Sequence, residues 1–141
     1  MTTTHDLPTV AGWWRGRDID WRTKLGMNPR GSDEQSQRSL RDADRELLWA
    51  ALKQAGCVQG DPPPRNTPES VVNGALAFVG GTPSRLAMAP VEDVLALDEQ
   101  PNLPGTINEH PNWRRRLPAG DVFAASGSED RLARFVRARQ S

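Results

Sequence analysis

The sequence is poor in the features that mark secreted, membrane-spanning or nucleic-acid-binding proteins. Its single cysteine, Cys57, excludes an internal disulfide and is typical of a reducing compartment. The 18 basic and 18 acidic residues balance, so no global field favours nucleic acid or a membrane surface. No apolar run approaches the roughly 18 residues that span a bilayer, and the N-terminus lacks the charged start and apolar core of a signal peptide. We therefore expect a soluble, cytoplasmic protein.

The composition also leaves little material for a hydrophobic core. Hydrophobic residues make up 36% of the 141 residues, and there are 12 prolines and 12 glycines. This length is enough for one ordinary domain. So thin a core is expected of a segment that packs against further protein.

Apolar spacing and capping residues predict a first helix in the middle of the chain. Ser32 and Gln35 have the spacing of a capping box, and Gly56 provides a stop signal. Between them, apolar residues recur at helical spacing. They are Leu40, Ala43, Leu47, Ala51 and Ala55.

Two further helices follow. Thr67 as N-cap and Pro68 at the first helical position open one that runs to Gly80. It is apolar on nearly all sides, so we expect it to be buried on more than one side. Ser126 and Glu129 open the last helix. Its arginines are expected to form a solvated face: Arg131, Arg134, Arg137 and Arg139.

Strand signals are few. Residues 84–90 are the best candidate, and residues 2–4 could be the end of another strand. The order is then strand end, helices, strand, loop and helix. This order is the pattern of two βα units of an α/β barrel.

The N-terminal segment Thr4-His5-Asp6-Leu7-Pro8 and the pair Trp13-Trp14 carry the clearest chemistry. Groups that can hydrogen-bond hydroxyls lie near flat aromatic rings, a mixture that suits a carbohydrate with its hydroxyl rim and C–H faces. On its own, His5-Asp6 has a simpler interpretation, because an aspartate before Leu-Pro can cap a helix. We expect both tryptophans to pack in a core or wall, since adjacent residues on a helix cannot face the same way.

Other carboxylates have simpler interpretations. Asp18 and Asp20 form a motif too common to define a site. Glu92 and Asp93 could line an active-site rim or cap a short helix at Val94, and capping is the favoured role. These residues are therefore not assigned to the catalytic set.

No metal or cofactor is expected. Glu109 and His110 lack a third ligand at metal spacing. The sequence has no phosphate-cradling Gly-x-Gly-x-x-Gly or P-loop motif.

Several blocks of the sequence resemble the 4-alpha-glucanotransferases, or amylomaltases, of glycoside hydrolase family 77. They are 3–14 (TTHDLPTVAGWW), 85–97 (RLAMAPVEDVLAL), 102–106 (NLPGT) and 112–118 (NWRRRLP). They follow the family's order and cover about half of the chain. The resemblance implies a (β/α)8 TIM barrel. Because a whole barrel needs roughly 200–250 residues, this mostly helical chain is expected to be only its C-terminal portion, about the last two βα units.

Under this resemblance, residues 1–141 form a single segment, the C-terminal part of a catalytic barrel. Its parts are the active-site motif and helix start (1–16), helices (32–80), the last strand and substrate-side loop (84–118) and the C-terminal helix (126–140).

The family moves α-1,4-glucan segments between maltodextrins by a retaining mechanism that uses three carboxyl groups. The resemblance implies that Asp6 is the transition-state-stabilising aspartate and that His5 binds the sugar. Asn102 is either a substrate-binding residue of the following loop or a turn residue of Asn-Leu-Pro-Gly. Trp113 and Arg116 are expected to anchor that loop onto the barrel.

The nucleophile and acid/base are expected N-terminal to the motif, outside this chain. The partners implied are thus an α-1,4-glucan or maltodextrin and the N-terminal barrel portion, and the chain alone is expected to be inactive. Two other functions stay open: a non-catalytic glucan-binding module, and a helical interaction domain that uses the arginine-rich last helix.

Overall fold

In a computed structural model, which describes residues 1–117 and 127–140, helices are joined by irregular segments and no strand forms among those residues. The helices are α1 Val10–Arg15, α2 Arg17–Lys24, α3 Glu34–Gln54, α4 Glu69–Gly80, α5 Val91–Val94 and α6 Ser128–Gln140. Within the described part of the chain, none of them has the length and apolarity needed to cross a bilayer.

The two predicted strands are irregular instead. Residues 2–4 and 84–90 have no strand assignment. A lone extended segment has no neighbour to pair with its backbone N–H and C=O groups, and parallel strands pair only across a sheet. The strand predictions were therefore wrong for this chain, whereas helices form in all three of the expected regions.

Helix α4 lies at the centre of the fold. It contacts α1, α3, α5 and α6, and Val71, Val72 and Leu76 are fully buried in these contacts. Among its large hydrophobic side chains only Phe78 is exposed. Its burial on more than one side is confirmed, although Pro68 is the N-cap rather than the first helical residue.

The buried side of helix α3 is largely polar. Its N-cap is Asp33, not Ser32, and the Asp33 carboxylate accepts the Ser36 N–H at 2.7 Å. The apolar residues that defined the helix from sequence point to solvent, with Leu40 65% and Leu47 70% exposed. The inner side is Gln37, Arg41, Arg45, Trp49 and Leu52.

A buried ion pair explains the polar inner side of α3. Asp18, only 3% exposed, accepts from both Nη atoms of Arg41 at 2.8 Å and from Arg22 at 2.6 Å. Burial alone would raise the pKa of Asp18, but the hydrogen bonds and charges of Arg41 and Arg22 outweigh it and lower this pKa. The Arg41 guanidinium lies 4.5 Å from the Trp13 ring centroid, and Trp14 is in the core. Both tryptophans therefore pack as predicted.

Helix α6 has one buried arginine. The Nε atom of Arg131 donates to the Val94 carbonyl at 2.5 Å, which ties α6 to the end of α5. The prediction of a fully solvated arginine face was thus wrong at this position, because a carbonyl at the end of a helix attracts a cation. The predicted cap Ser126 lies outside the described residues, and the helix begins at Ser128.

Candidate functional site

The predicted His-Asp pair lies in an exposed turn. A backbone hydrogen bond of 3.1 Å closes residues 4–7, and the side chains of His5 and Asp6 are 56% and 50% exposed. Their Nε2 and Oδ2 atoms are 3.5 Å apart. Asp6 does not cap a helix, because the N-cap of α1 is Thr9, whose hydroxyl accepts the Gly12 N–H at 2.9 Å. The helix-cap interpretation of Asp6 was therefore wrong.

Asn102 reaches this turn from 96 residues further along the chain. Its Nδ2 donates to Asp6 Oδ1 at 2.6 Å, and its backbone N–H donates to the His5 carbonyl at 3.1 Å. Gln100 bridges the Asn102 segment and the N-terminal turn. Its Nε2 donates to the Asn102 carbonyl at 2.6 Å and to the Asp6 carbonyl at 3.5 Å. The three predicted site residues thus form one cluster, which we call the turn cluster: His5, Asp6 and Asn102.

The segment after α5 approaches the N-terminal turn closely because of contacts made by α1 and its N-cap. A Cβ atom on Gly12 would lie 2.1 Å from the carbonyl oxygen of Asp98, so only glycine allows this contact. Beside it, the Thr9 hydroxyl donates to the Leu97 carbonyl at 2.5 Å. Arg15 adds an ion pair to the Asp98 carboxylate at 2.7 Å. These contacts place the segment after α5 against the N-terminal turn.

Trp113 lies beside the turn cluster. Its indole is 66% exposed, and its ring centroid is 5.2 Å from that of His5. Its backbone has a φ of +59°, in the left-handed region, while its N–H donates to the Pro101 carbonyl at 3.0 Å. Arg116 is exposed too. Both side chains are thus exposed in this chain, and the expectation that they anchor the loop onto the barrel stays a prediction.

Within this chain, the side chain of Asn112 holds the loop together. The sequence analysis did not predict this role. Its Oδ1 accepts the Leu103 N–H at 2.9 Å, and its Nδ2 donates to the carbonyl and hydroxyl of Thr106 at 3.1 and 2.8 Å. The Oδ1 atom also lies 2.6 Å from Nδ1 of the fully buried His110. The sequence signals were the turn-forming Asn-Leu-Pro-Gly ahead of it and its place at the start of block 112–118. Among the described residues, no group of three or more potential metal ligands occurs.

A cavity of about 940 Å³ is lined by His5 of the turn cluster, whereas Asp6 and Asn102 are not part of its lining. Its size falls in the range of ligand pockets. Its walls include His5, Trp113, Met88, Glu92 and Arg116, so hydrogen-bonding and apolar groups share the lining. Of the two open roles of Glu92, the structure therefore favours the rim, since this residue makes no cap on α5.

Asp93 is fully buried and fixes both ends of the turn. Its Oδ1 accepts the Val10 N–H at 2.8 Å, at the start of α1, and its Oδ2 accepts the Thr2 hydroxyl. Burial raises the pKa of Asp93, against the opposing effect of these two hydrogen bonds. The prediction that Asp93 caps the helix at Val94 was wrong, because it binds the N-terminus of a different helix. Its two partners lie on either side of turn 4–7.

We expect Asp93→Ala to loosen this turn in the 141-residue chain. The Val10 N–H would lose its acceptor, at a cost of about 1–3 kcal/mol, so its amide exchange should accelerate by about fivefold or more. Asp93→Asn should stay near wild type, since its amide can accept from Val10 and donate to Thr2. Hydrogen exchange followed by NMR checks this. Equal exchange at Val10 in the Ala variant and the wild type would contradict the role.

The other aspartate pair is part of the scaffold. Asp18 is in the buried ion pair with Arg41, and Asp20 pairs with Arg38 at 2.5 Å. This agrees with leaving both out of the site.

Comparison with known proteins finds a family match that includes the turn cluster. The family model described as 4-alpha-glucanotransferase, glycoside hydrolase family 77, matches residues 1–122. The chain belongs to the 4-alpha-glucanotransferase family. The family predicted from the sequence blocks is therefore confirmed, and it implies a TIM barrel, which a helical segment without described strands does not itself display.

Relatives within the 4-alpha-glucanotransferase family come from several bacteria. The 4-alpha-glucanotransferases of Mycobacterium bovis and Mycobacterium tuberculosis are each 36% identical over 121 residues, and that of Haemophilus influenzae is 26% identical over 127 residues. The alignments cover 84% of this chain for the mycobacterial proteins and 86% for the last. They cover 16% and 18% of those relatives, so the chain spans about a sixth of their length.

Proposed function

We propose that this chain is the C-terminal part of the catalytic barrel of a 4-alpha-glucanotransferase, which transfers α-1,4-glucan segments between maltodextrins by a retaining mechanism. One observation carries the proposal. The three residues that match the family's site, His5, Asp6 and Asn102, share hydrogen bonds although 96 residues separate Asp6 from Asn102. Of the three, His5 also lines a cavity of suitable size for a sugar.

Asp6 is proposed to stabilise the transition state. An oxocarbenium-like transition state develops positive charge near the anomeric carbon, which a fixed carboxylate favours. The 2.6 Å hydrogen bond from Asn102 holds Oδ1 and so fixes the orientation of the carboxylate. Such an arrangement costs little reorganisation when the charge appears.

His5 and Asn102 are proposed to bind sugar hydroxyls. An amide side chain has two N–H donors and one carbonyl acceptor. Asn102 donates one N–H to Asp6, which leaves its second N–H and its oxygen for a substrate hydroxyl. The exposed imidazole of His5 has a nitrogen that can donate to another hydroxyl.

The nucleophile and acid/base are proposed to lie in another part of the enzyme. Glu99 lines the cavity but is a poor candidate for the general acid, which needs a raised pKa. Burial acts to raise the pKa of Glu99, yet the hydrogen bonds from Trp21 and Arg17 and the charge of Arg115 lower it overall. The carboxylate is thus held in ion pairs at 2.5 and 3.2 Å.

The 141-residue chain alone should therefore be inactive. The covalent step requires a nucleophile and an acid/base that it is proposed to lack. After incubation with maltotriose, chromatography should detect neither glucose nor longer maltodextrins above a buffer blank, while an intact relative produces both. Turnover by the chain would contradict the assignment of those groups to another segment.

A chimera tests the proposal directly. Residues 1–122, the part matched by the family model, would replace the corresponding segment of the Mycobacterium tuberculosis relative. Restored transfer from maltotriose is the expected result. A glucan-binding module or a helical interaction domain would leave this chimera inactive, and the former would still bind maltodextrin.

A further inference from the structure

We propose that the indole of Trp113 is a stacking platform for one glucose ring of the glucan, forming a sugar subsite next to His5. The inference rests on the proposed function and deepens it. It assigns a binding residue outside the turn cluster and specifies the face of the sugar that this residue meets.

The exposure of Trp113 sets it apart from the other tryptophans of the chain. Trp14, Trp21 and Trp49 are at most 9% exposed, and Trp13 is covered by the Arg41 guanidinium. Trp113 is 66% exposed and lines the cavity that His5 also lines. A large indole left in solvent at the wall of a cavity is a feature of binding sites, where tryptophan contributes much contact area per residue.

The loop holds this exposed ring in a fixed position. Asn112, the preceding residue, makes its hydrogen bonds to Leu103 and Thr106 and contacts the buried His110. The Trp113 N–H is bonded to the Pro101 carbonyl. These contacts maintain a left-handed backbone, with φ of +59°, that is unfavourable for a bulky residue. The fold thus keeps the indole outward at a conformational cost, and such strain is concentrated at ligand-binding positions.

The neighbours of Trp113 suit a pyranose. One face of a glucose ring is made of C–H groups, which pack on an aromatic π-face, and its rim carries hydroxyls that need hydrogen bonds. The His5 ring, with its centroid 5.2 Å away and its plane tilted by 46°, can donate to that rim while the indole receives the face. Arg116 and Glu92 line the same cavity and supply a donor and an acceptor for other hydroxyls.

The test is maltoheptaose binding by the 141-residue chain, measured by isothermal titration calorimetry. Trp113→Leu keeps an apolar side chain but removes the flat ring, and Trp113→Phe keeps a ring. We expect Leu to weaken binding by about tenfold or more and Phe to stay within about threefold of wild type. Phe78→Leu, at an exposed aromatic residue that does not line this cavity, should leave binding unchanged. Far-UV circular dichroism verifies that each variant keeps its helices.

The outcomes separate this inference from the proposed function. If Trp113→Leu binds as wild type does while His5→Ala weakens binding, the stacking subsite is wrong and the sugar-binding turn cluster stands. If Leu and Phe weaken binding equally, the flat ring is not the recognised feature and the inference also fails. If the wild-type chain does not bind maltoheptaose, the subsite is rejected, and the proposed function is then judged by the activity of the chimera alone.

Discussion

Changing Asp6→Asn in the chimera described above should lower kcat by about 100-fold or more, with a much smaller effect on KM. The two side chains have nearly the same shape, and Asn at position 6 keeps an oxygen that can accept the 2.6 Å hydrogen bond from Asn102. The substitution therefore removes charge and leaves the geometry largely in place. Because the proposed partner of that charge exists only in the transition state, the loss should fall on kcat. Steady-state kinetics with maltotriose measure both constants.

Two further variants make the Asp6 result interpretable. Asp20→Asn also removes one carboxylate, but from a half-exposed ion pair with Arg38 on the scaffold, and should change rates by no more than about threefold. His5→Ala should have an intermediate effect, since a hydrogen bond to a sugar hydroxyl is made in the ground state as well. If Asp6→Asn has as little effect as Asp20→Asn, Asp6 is not the transition-state-stabilising group.

The site was more predictable from the sequence than the scaffold that supports it. His5, Asp6 and Asn102 were selected because their motifs resemble a family, and the structure places them together. Spacing alone could not bring them together, because Asp6 and Asn102 are 96 residues apart and neither lies in a helix or strand. Their roles stay predictions until the kinetic variants are measured. Asn112, which holds the loop, gave no chemical signal of its own.

The inner face of α3 could not be predicted from apolar spacing. Leu40 and Leu47 have the helical spacing of a core-facing stripe, yet they point to solvent. The buried side is fixed by Arg41 and its bond to Asp18, an interaction that hydrophobic periodicity does not register. The charged residues did carry a signal, because Asp18 and Asp20 of α2 pair with two arginines three positions apart on α3, Arg41 and Arg38.

The strand predictions were wrong for a different reason. A strand exists only with a paired neighbour, so residues 84–90 carry a strand-like sequence without forming one in this chain. Helices close their hydrogen bonds within one segment and are therefore predictable from a segment alone. The same contrast explains why all three helix predictions located helices, with boundary shifts of one or two residues for those whose starts are described.

Asp18→Asn should destabilise the 141-residue chain by about 3 kcal/mol at neutral pH, because it removes one partner of a buried ion pair and leaves Arg41 without its counter-charge. Arg41 also contacts Trp13 and joins α2 to α3. Loss of its counter-charge should therefore weaken the packing of the core around Trp13. Asp20→Asn, from a half-exposed pair, should cost at most about 1 kcal/mol. Urea unfolding followed by far-UV circular dichroism gives both values.

Acidity provides an independent check on the Asp18 ion pair. The pKa of Asp18 is lowered in the folded chain relative to the ordinary value of 3.8, so its stabilising effect is complete above about pH 5 and is lost as the pH falls through the folded-state pKa. The difference in unfolding free energy between wild type and Asp18→Asn should therefore be largest near pH 7 and shrink as the pH falls through that range. If the difference stays constant down to the acid-unfolding limit, the carboxylate charge is not what stabilises the junction of α2 and α3, and packing around Arg41 must account for it instead.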